Sequence, residues 1–187
     1  MVATAARFTY EAAISSVDYD SHALRRLTER LGSRLWAGAS SHPLWSGAER
    51  DPADQHGAWD VFRTRARVVV VLHQHMWGRT PTTRDDAAAI RQRVRAGGKG
   101  FLQVVSLDRT PLPEWLESAS SCSVLDCDLD DCVDRIVEAV AARGGATRPV
   151  PAATMVARAA ADEQTARERD TFLGSYRATS ALGREFD

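Results

Sequence analysis

Arg67 is followed by five consecutive apolar residues, Val68-Val69-Val70-Val71-Leu72, four of them β-branched. Such a run cannot alternate between a wet face and a dry one. It reads as a strand buried on both sides, which is the pattern of a parallel sheet covered by helices on each face. A short loop then leads into Met76-Trp77-Gly78-Arg79-Thr80-Pro81-Thr82-Thr83-Arg84-Asp85-Asp86-Ala87-Ala88-Ala89-Ile90. In open sheets of this kind ligands bind beyond the carboxyl ends of the strands. Trp77 to Asp86 therefore occupies the stretch where chemistry is expected.

The chain has 187 residues, 44% hydrophobic and 26% charged, enough for one well-formed core and an appendage but not for two large cores. Its 24 lysines and arginines nearly balance 25 aspartates and glutamates. No bulk field is present to hold nucleic acid or an acidic membrane surface, so neither is expected as a direct partner. The apolar run from Val68 to Leu72 is far too short to span a bilayer, and Met1 to Arg7 lacks the hydrophobic region of a signal peptide. A cytoplasmic chain is the expectation. Cys122, Cys127 and Cys132 are odd in number with none in a CxxC pair, which fits a reducing compartment, and no zinc-type ligand pairs accompany them. Free thiols and no metal site are expected. The acidic residues around them, Asp126, Asp128, Asp130, Asp131 and Asp134, fall where a strand hands over to a helix and read as helix caps.

Along the chain, Phe8 to Ser15 reads as a first strand. A helix follows from Ser21, with Ala23, Leu24, Leu27 and Leu31 at helical spacing and Gly32 as a stop signal. Arg34-Leu35-Trp36-Ala37 reads as a short second strand, and Gly38 to Glu49 as a long polar loop. Pro52 to Thr64 is expected as a helix with Trp59, Phe62 and Ala58 inward, followed by the valine strand. A third helix is expected over about Thr82 to Arg95, capped by Thr82 or Thr83 and stopped at Ala96-Gly97-Gly98. Phe101 to Leu107 reads as the fourth strand, Pro113 to Ser118 as a brief helix, Ser123 to Leu125 as the fifth strand, and Leu129 to about Arg143 as the last helix. Strands alternating with helices in this way define an open, mostly parallel α/β sheet wrapped on both faces, flavodoxin-like in class. Thr147 to Pro151 is stiff, so the expected division is a domain over 1–145, a linker over 146–151 and a helical segment over 152–187. No strong stop precedes Asp187, which points to a parent protein with a further domain or partner beyond that residue.

Over about residues 7 to 144 the chain resembles the Toll/interleukin-1 receptor (TIR) domain family, particularly the bacterial TIR proteins of antiphage defence. Tyr10-Glu11-Ala12-Ala13-Ile14-Ser15-Ser16-Val17-Asp18-Tyr19-Asp20 is similar to the family's opening strand and first loop. Gly38 to Glu49, with Leu44-Trp45-Ser46-Gly47, is similar to the BB loop that covers the nucleotide site and mediates assembly. The valine strand and Trp77-Gly78-Arg79-Thr80-Pro81 are similar to the third strand and its loop. Thr82-Thr83-Arg84-Asp85-Asp86 stands where related bacterial sequences read Trp-Thr-Arg-x-Glu. The family's NAD-cleaving activity depends on that glutamate, so the resemblance implies Asp86 as the catalytic carboxylate, one methylene shorter, with Thr82 in place of the tryptophan.

The resemblance further implies NAD+ as a substrate, no separate cofactor, and a homo-oligomer formed through TIR-TIR contacts. Breaking the bond between nicotinamide and ribose builds an oxocarbenium-like charge, which a carboxylate beside the ribose stabilises. Beside Asp86, the candidate substrate contacts are Ser16, Asp18, Trp45, Trp77 and Arg84. Ser16 and Asp18 lie at the carboxyl end of the first strand, where amides and a hydroxyl can hold phosphate or ribose. Trp45 and Trp36 can stack on a base or pack in a core. Arg79 and Arg84 can meet pyrophosphate or solvent. Asp85 points about 100° away from Asp86 on a helix, so the two cannot share one pocket equally. His73 and His75 alternate at the end of the third strand, a spacing open to a metal but lacking a third ligand. A TIR module that acts by assembly and recruitment without turnover is the alternative. A phospho-receiver is excluded because the third strand ends in Leu72-His73 with no acceptor aspartate, and a flavodoxin because no Ser/Thr/Gly-rich phosphate loop follows the first strand.

Overall fold

A computed structural model describes residues 8–36, 42–46 and 55–149, together with helical positions 160, 163, 164 and 167. The chain divides into two compact units, Met1–Arg148 and Pro149–Asp187. In the second, Glu163 and Arg167 form an i,i+4 ion pair at 2.5 Å. The first unit holds β1 (Tyr10–Ser15), α1 (His22–Arg34), β2 (His42–Ser46), α2 (Gln55–Asp60), β3 (Ala66–His73), α3 (Pro81–Gly97), β4 (Leu102–Ser106), β5 (Ser120–Ser123) and α4 (Leu129–Ala142). All five strands are parallel and lie in the order β2-β1-β3-β4-β5, the open α/β sheet of flavodoxin-like topology.

The valine run explains itself once the two layers are in place. Val69 and Val71 face a core shared with Trp45, Phe62, Ala89, Ile90 and Phe101, beneath α2 and α3. Val68, Val70 and Leu72 face the other core, with Leu24, Leu27 and Leu31 of α1 and Ile136 and Val140 of α4. Each such side chain contributes about 1.5–3 kcal/mol on burial, so a strand apolar at every position is fixed in the sheet centre from both sides.

Two edge strands differ from the sequence expectation. Gly32 does not stop α1, which runs on to Arg34, because Leu31 and Leu35 are both buried and Arg34 holds Asp134 of α4 at 2.7 Å. Arg34 to Trp36, the described part of the expected second strand, therefore does not form it; among these three residues only Leu35 makes a bridge, antiparallel to Thr147. The second strand is His42–Ser46, within the stretch expected as a loop. It pairs through Ala12 with Leu44 and Ala13 with Trp45, and Pro43 is tolerated because β2 is an edge. The rest of the expected 38–49 loop lies outside the described residues. At the other edge β5 is Ser120–Ser123, ending where Ser123–Leu125 was expected to begin. The Ser123 carbonyl accepts the N–H groups of Asp126 and Cys127, turning the chain, and Leu125 is left exposed.

The remaining adjustments are small. The helix expected over Pro52 to Thr64 is α2 followed by a π turn over Val61–Arg65, with residues 52–54 outside the described ones. Arg93 of α3 ties that turn down, donating from Nη1 to the carbonyls of Phe62 at 3.2 Å and Ala66 at 2.8 Å while its guanidinium lies 3.9 Å from the Phe101 ring centroid. Burial, helped by nearby Arg143, brings its pKa down to about 10. Pro113 to Ser118 forms hydrogen-bonded turns instead of a helix, with Leu116 buried. Asp128 caps α4, accepting from the Asp130 N–H at 3.3 Å. Among the described residues no helix is long and apolar enough to cross a membrane.

Candidate functional site

In the order β2-β1-β3-β4-β5 the chain leaves β1 for β2 on one side and β3 on the other. That reversal opens a crevice beyond the carboxyl ends of β1 and β3, the topological switch point where ligands bind open sheets. Three segments converge there: the end of β1, the turn after β3, and the start of α3.

Local chemistry sets the turn. Met76 and Gly78 both take left-handed backbone conformations, φ 74° and 78°, reversing the chain within a few residues. For Met76 that conformation costs about 1–3 kcal/mol, met by the surrounding contacts. Thr80, not Thr82 or Thr83, caps α3: its hydroxyl accepts the Thr83 N–H at 3.2 Å, and Pro81 fills the first helical position. The Thr83 hydroxyl accepts the Gly78 N–H at 2.9 Å and lies 2.6 Å from that of Thr80. Turn and helix start are thereby locked together.

Asp86, in the second turn of α3, is 1% exposed. The Ser15 hydroxyl donates to its Oδ2 at 2.7 Å, and the Tyr19 hydroxyl reaches the same atom at 3.4 Å. Trp77 donates its indole N–H to Ser15 Oγ at 3.0 Å. The result is a directional relay, Trp77 to Ser15 to Asp86, in which each bond polarises the next. The Asp86 carboxyl group, buried near the start of α3, is oriented by the hydroxyls of Ser15 and Tyr19.

The expected site residues separate into two groups. Trp77 and Asp86 meet through Ser15. Ser16 is fully buried beside Ser15, but its hydroxyl donates to the Asp18 carbonyl at 3.0 Å, and exposed Asp18 accepts the Asp20 N–H at 2.9 Å, closing the first loop on itself. Arg84 is exposed and donates to the Arg79 carbonyl at 3.2 Å; Asp85 is also exposed. Trp45 lies in β2, 5% exposed, edge-on to Phe62 at 5.2 Å between centroids, so it belongs to the core between sheet and helices. Trp36 is 59% exposed beneath the Arg148 guanidinium. Ser15 and Tyr19 were the contacts missed. Both stand in the opening motif, and Ser15 shares the strand face of Ala13, which looks toward α3.

His73 and His75 do not form a pair. His73 ends β3, 2% exposed and 6.1 Å from the Trp77 ring, whereas His75 is exposed in the turn. Burial lowers the His73 pKa, against an opposing pull from Asp108. Asp108 is itself held low, chiefly by the His75 N–H, with the N–H and hydroxyl of Thr110 adding to it. In the unfolded chain His73 binds a proton near its ordinary pKa of 6.5. Folding opposes that protonation, so stability is full above the ordinary value and falls as pH drops below it, levelling off under the folded pKa. Asp108 acts in a separate window, withdrawing stability only below the carboxylate range. Urea midpoints of the wild type are therefore expected to fall between about pH 7.5 and about pH 5.5, and the fall to shrink in His73→Gln; equal slopes for the two proteins would refute this.

The chain is thus an open α/β protein with a buried, hydrogen-bonded carboxylate at its switch point. Compared with protein-family models it matches none, and it matches no curated protein.

Proposed function

We propose that this is a TIR-type NAD+ nucleosidase of bacterial antiphage immunity, acting in the cytoplasm when oligomerised. The observation that carries the proposal is the Asp86 carboxylate, fixed by Ser15 and Tyr19 at the β1/β3 crevice. The TIR-like motifs of the sequence support the same reading. Asp86 stabilises the ribosyl cation as the C1′–N bond breaks, nicotinamide leaves as a neutral ring carrying the bonding electrons, and water completes ADP-ribose with loss of a proton. NAD+ is the substrate and no separate cofactor is required. Copies of the chain, through homotypic contacts, bring the crevice into its working state.

The inward hydrogen bond from Ser15 favours one second reading. A carboxylate that fastens α3 to β1 also suits a TIR module that acts by assembly and recruitment alone. Chromatography of NAD+ and its products with the concentrated chain, alongside sedimentation, separates the two. Nicotinamide release that rises with self-association supports the nucleosidase. Oligomers with no NAD+ loss support the assembly module.

A further inference from the structure

The sequence expectation for the three cysteines was free thiols without a metal, because the spacing Cys122-x4-Cys127-x4-Cys132 contains no ligand pair. Folding removes that objection. Cys122 lies in β5, Cys127 in the turn that follows, and Cys132 one turn into α4. Their sulfurs all lie within 4.8 Å of one another, with Cys127 and Cys132 at 3.7 Å. We propose that Cys122, Cys127 and Cys132 form a three-thiolate site for a thiophilic d10 dication of the Zn2+ class.

The distances fit that class of ion. Zinc holds each sulfur at about 2.3 Å, which spaces three thiolates roughly 3.8–4.0 Å apart. One pair already has this separation, and the third sulfur closes by less than about 1 Å. A disulfide framework fits less well, since any pairing leaves one thiol over. Soft sulfur donors without imidazole or carboxylate in the set select a d10 ion over magnesium or calcium. Cys132 is fully buried, whereas Cys122 and Cys127 are half-buried, so an ion can enter from the side of the exposed Leu125 turn and take a fourth ligand from solvent.

Positive charge lies close to the cluster. The amino-terminal end of α4 directs its positive dipole at the cluster, and Arg135 adds a positive charge beside it. Cys127 donates to the Ser123 carbonyl at 3.0 Å, but that oxygen also accepts the N–H groups of Asp126 and Cys127. Its thiol proton can leave without stranding a buried acceptor. On binding, each sulfur exchanges its proton for the ion, and the protons pass to solvent.

The test is an anaerobic titration of the reduced full chain with Cd2+ alone, read by the ultraviolet sulfur-to-cadmium charge-transfer band, followed by Zn2+ competition. The site predicts saturation at one ion per chain and a rise in melting temperature with Zn2+. Cys122→Ser and Cys127→Ser, both at half-buried positions, are each expected to cut the saturated band by about one third and weaken Zn2+ at least about tenfold. Asp86→Asn is expected to titrate like the wild type, since the thiols act apart from the nucleotide reading. Absence of a saturable band, or a band unchanged in both serine variants, would overturn the site.

Discussion

Asparagine in place of Asp86 is expected to lower nicotinamide release from NAD+ by about a hundredfold or more, while the unfolding free energy falls by no more than about 1–2 kcal/mol. The two effects separate because asparagine keeps the shape and still offers a carbonyl oxygen to the Ser15 hydroxyl, now 2.7 Å from Oδ2. What it loses is the negative charge. If the carboxylate served only to fasten α3 to β1, release would be unchanged and the effect would appear in stability alone. Asp86→Glu adds a methylene in a place where the side chain is 1% exposed, so its carboxylate must either bend back to Ser15 or reach further into the crevice. Activity retained or raised in Asp86→Glu, beside loss in Asp86→Asn, identifies charge as the requirement.

Arg67→Ala is expected to cost about 3–5 kcal/mol in urea denaturation, the largest stability effect of any single change considered. Glu11 is 1% exposed, and Arg67 Nε donates to its Oε2 at 2.6 Å. The same guanidinium donates from Nη1 to the Arg143 carbonyl at 2.6 Å and covers the Phe8 ring. Removing it leaves a buried carboxylate without its main counter-charge. Replacing both partners, as Glu11→Gln with Arg67→Met, is expected to recover most of the loss, because the charge is then no longer buried alone. Gly145 closes this corner: an added Cβ would overlap Val140, the Glu11 carboxylate and Arg67. Since the pair lies at the amino ends of β1 and β3, away from the crevice, activity per folded molecule is expected to stay the same. A cost below about 1 kcal/mol would show that the pair is solvated and exposed in solution.

The central strands and the long helices were legible because burial dictates them. Val68 to Leu72 admits no other placement, and the stripe Val133, Ile136, Val137 and Val140 defines α4 within one residue of its end. The edge strands were not. β2 and β5 bury few side chains, so Leu35, Val124 and Leu125 drew attention to the wrong segments, and only pairing with β1 and β4 reveals the true ones. Gly32 misled for a related reason: Leu35 and Arg34 make tertiary contacts that outweigh a local stop signal.

At the crevice, the position of Asp86 on the helix after β3 could be read in advance. Its partners could not, since Ser15 lies 71 positions away and contributes one hydroxyl with no pattern of its own. Trp45 left the candidate site once β2 moved onto its segment and turned it into core. Asp18 and Arg84 satisfy themselves against nearby backbone, as short polar loops commonly do.

NAD+ binding beside Asp86 is tested most directly by an NMR titration of the 15N-labelled chain with NAD+, following the indole N–H of Trp77, assigned from Trp77→Phe. This proton sits on Ser15 Oγ, one hydrogen bond from Asp86. Exposed Trp36 serves as the internal control. A saturable shift is expected at Trp77, with Trp36 unmoved. A Trp77 resonance that stays fixed while NAD+ is consumed, or while other residues saturate, would contradict binding beside Asp86.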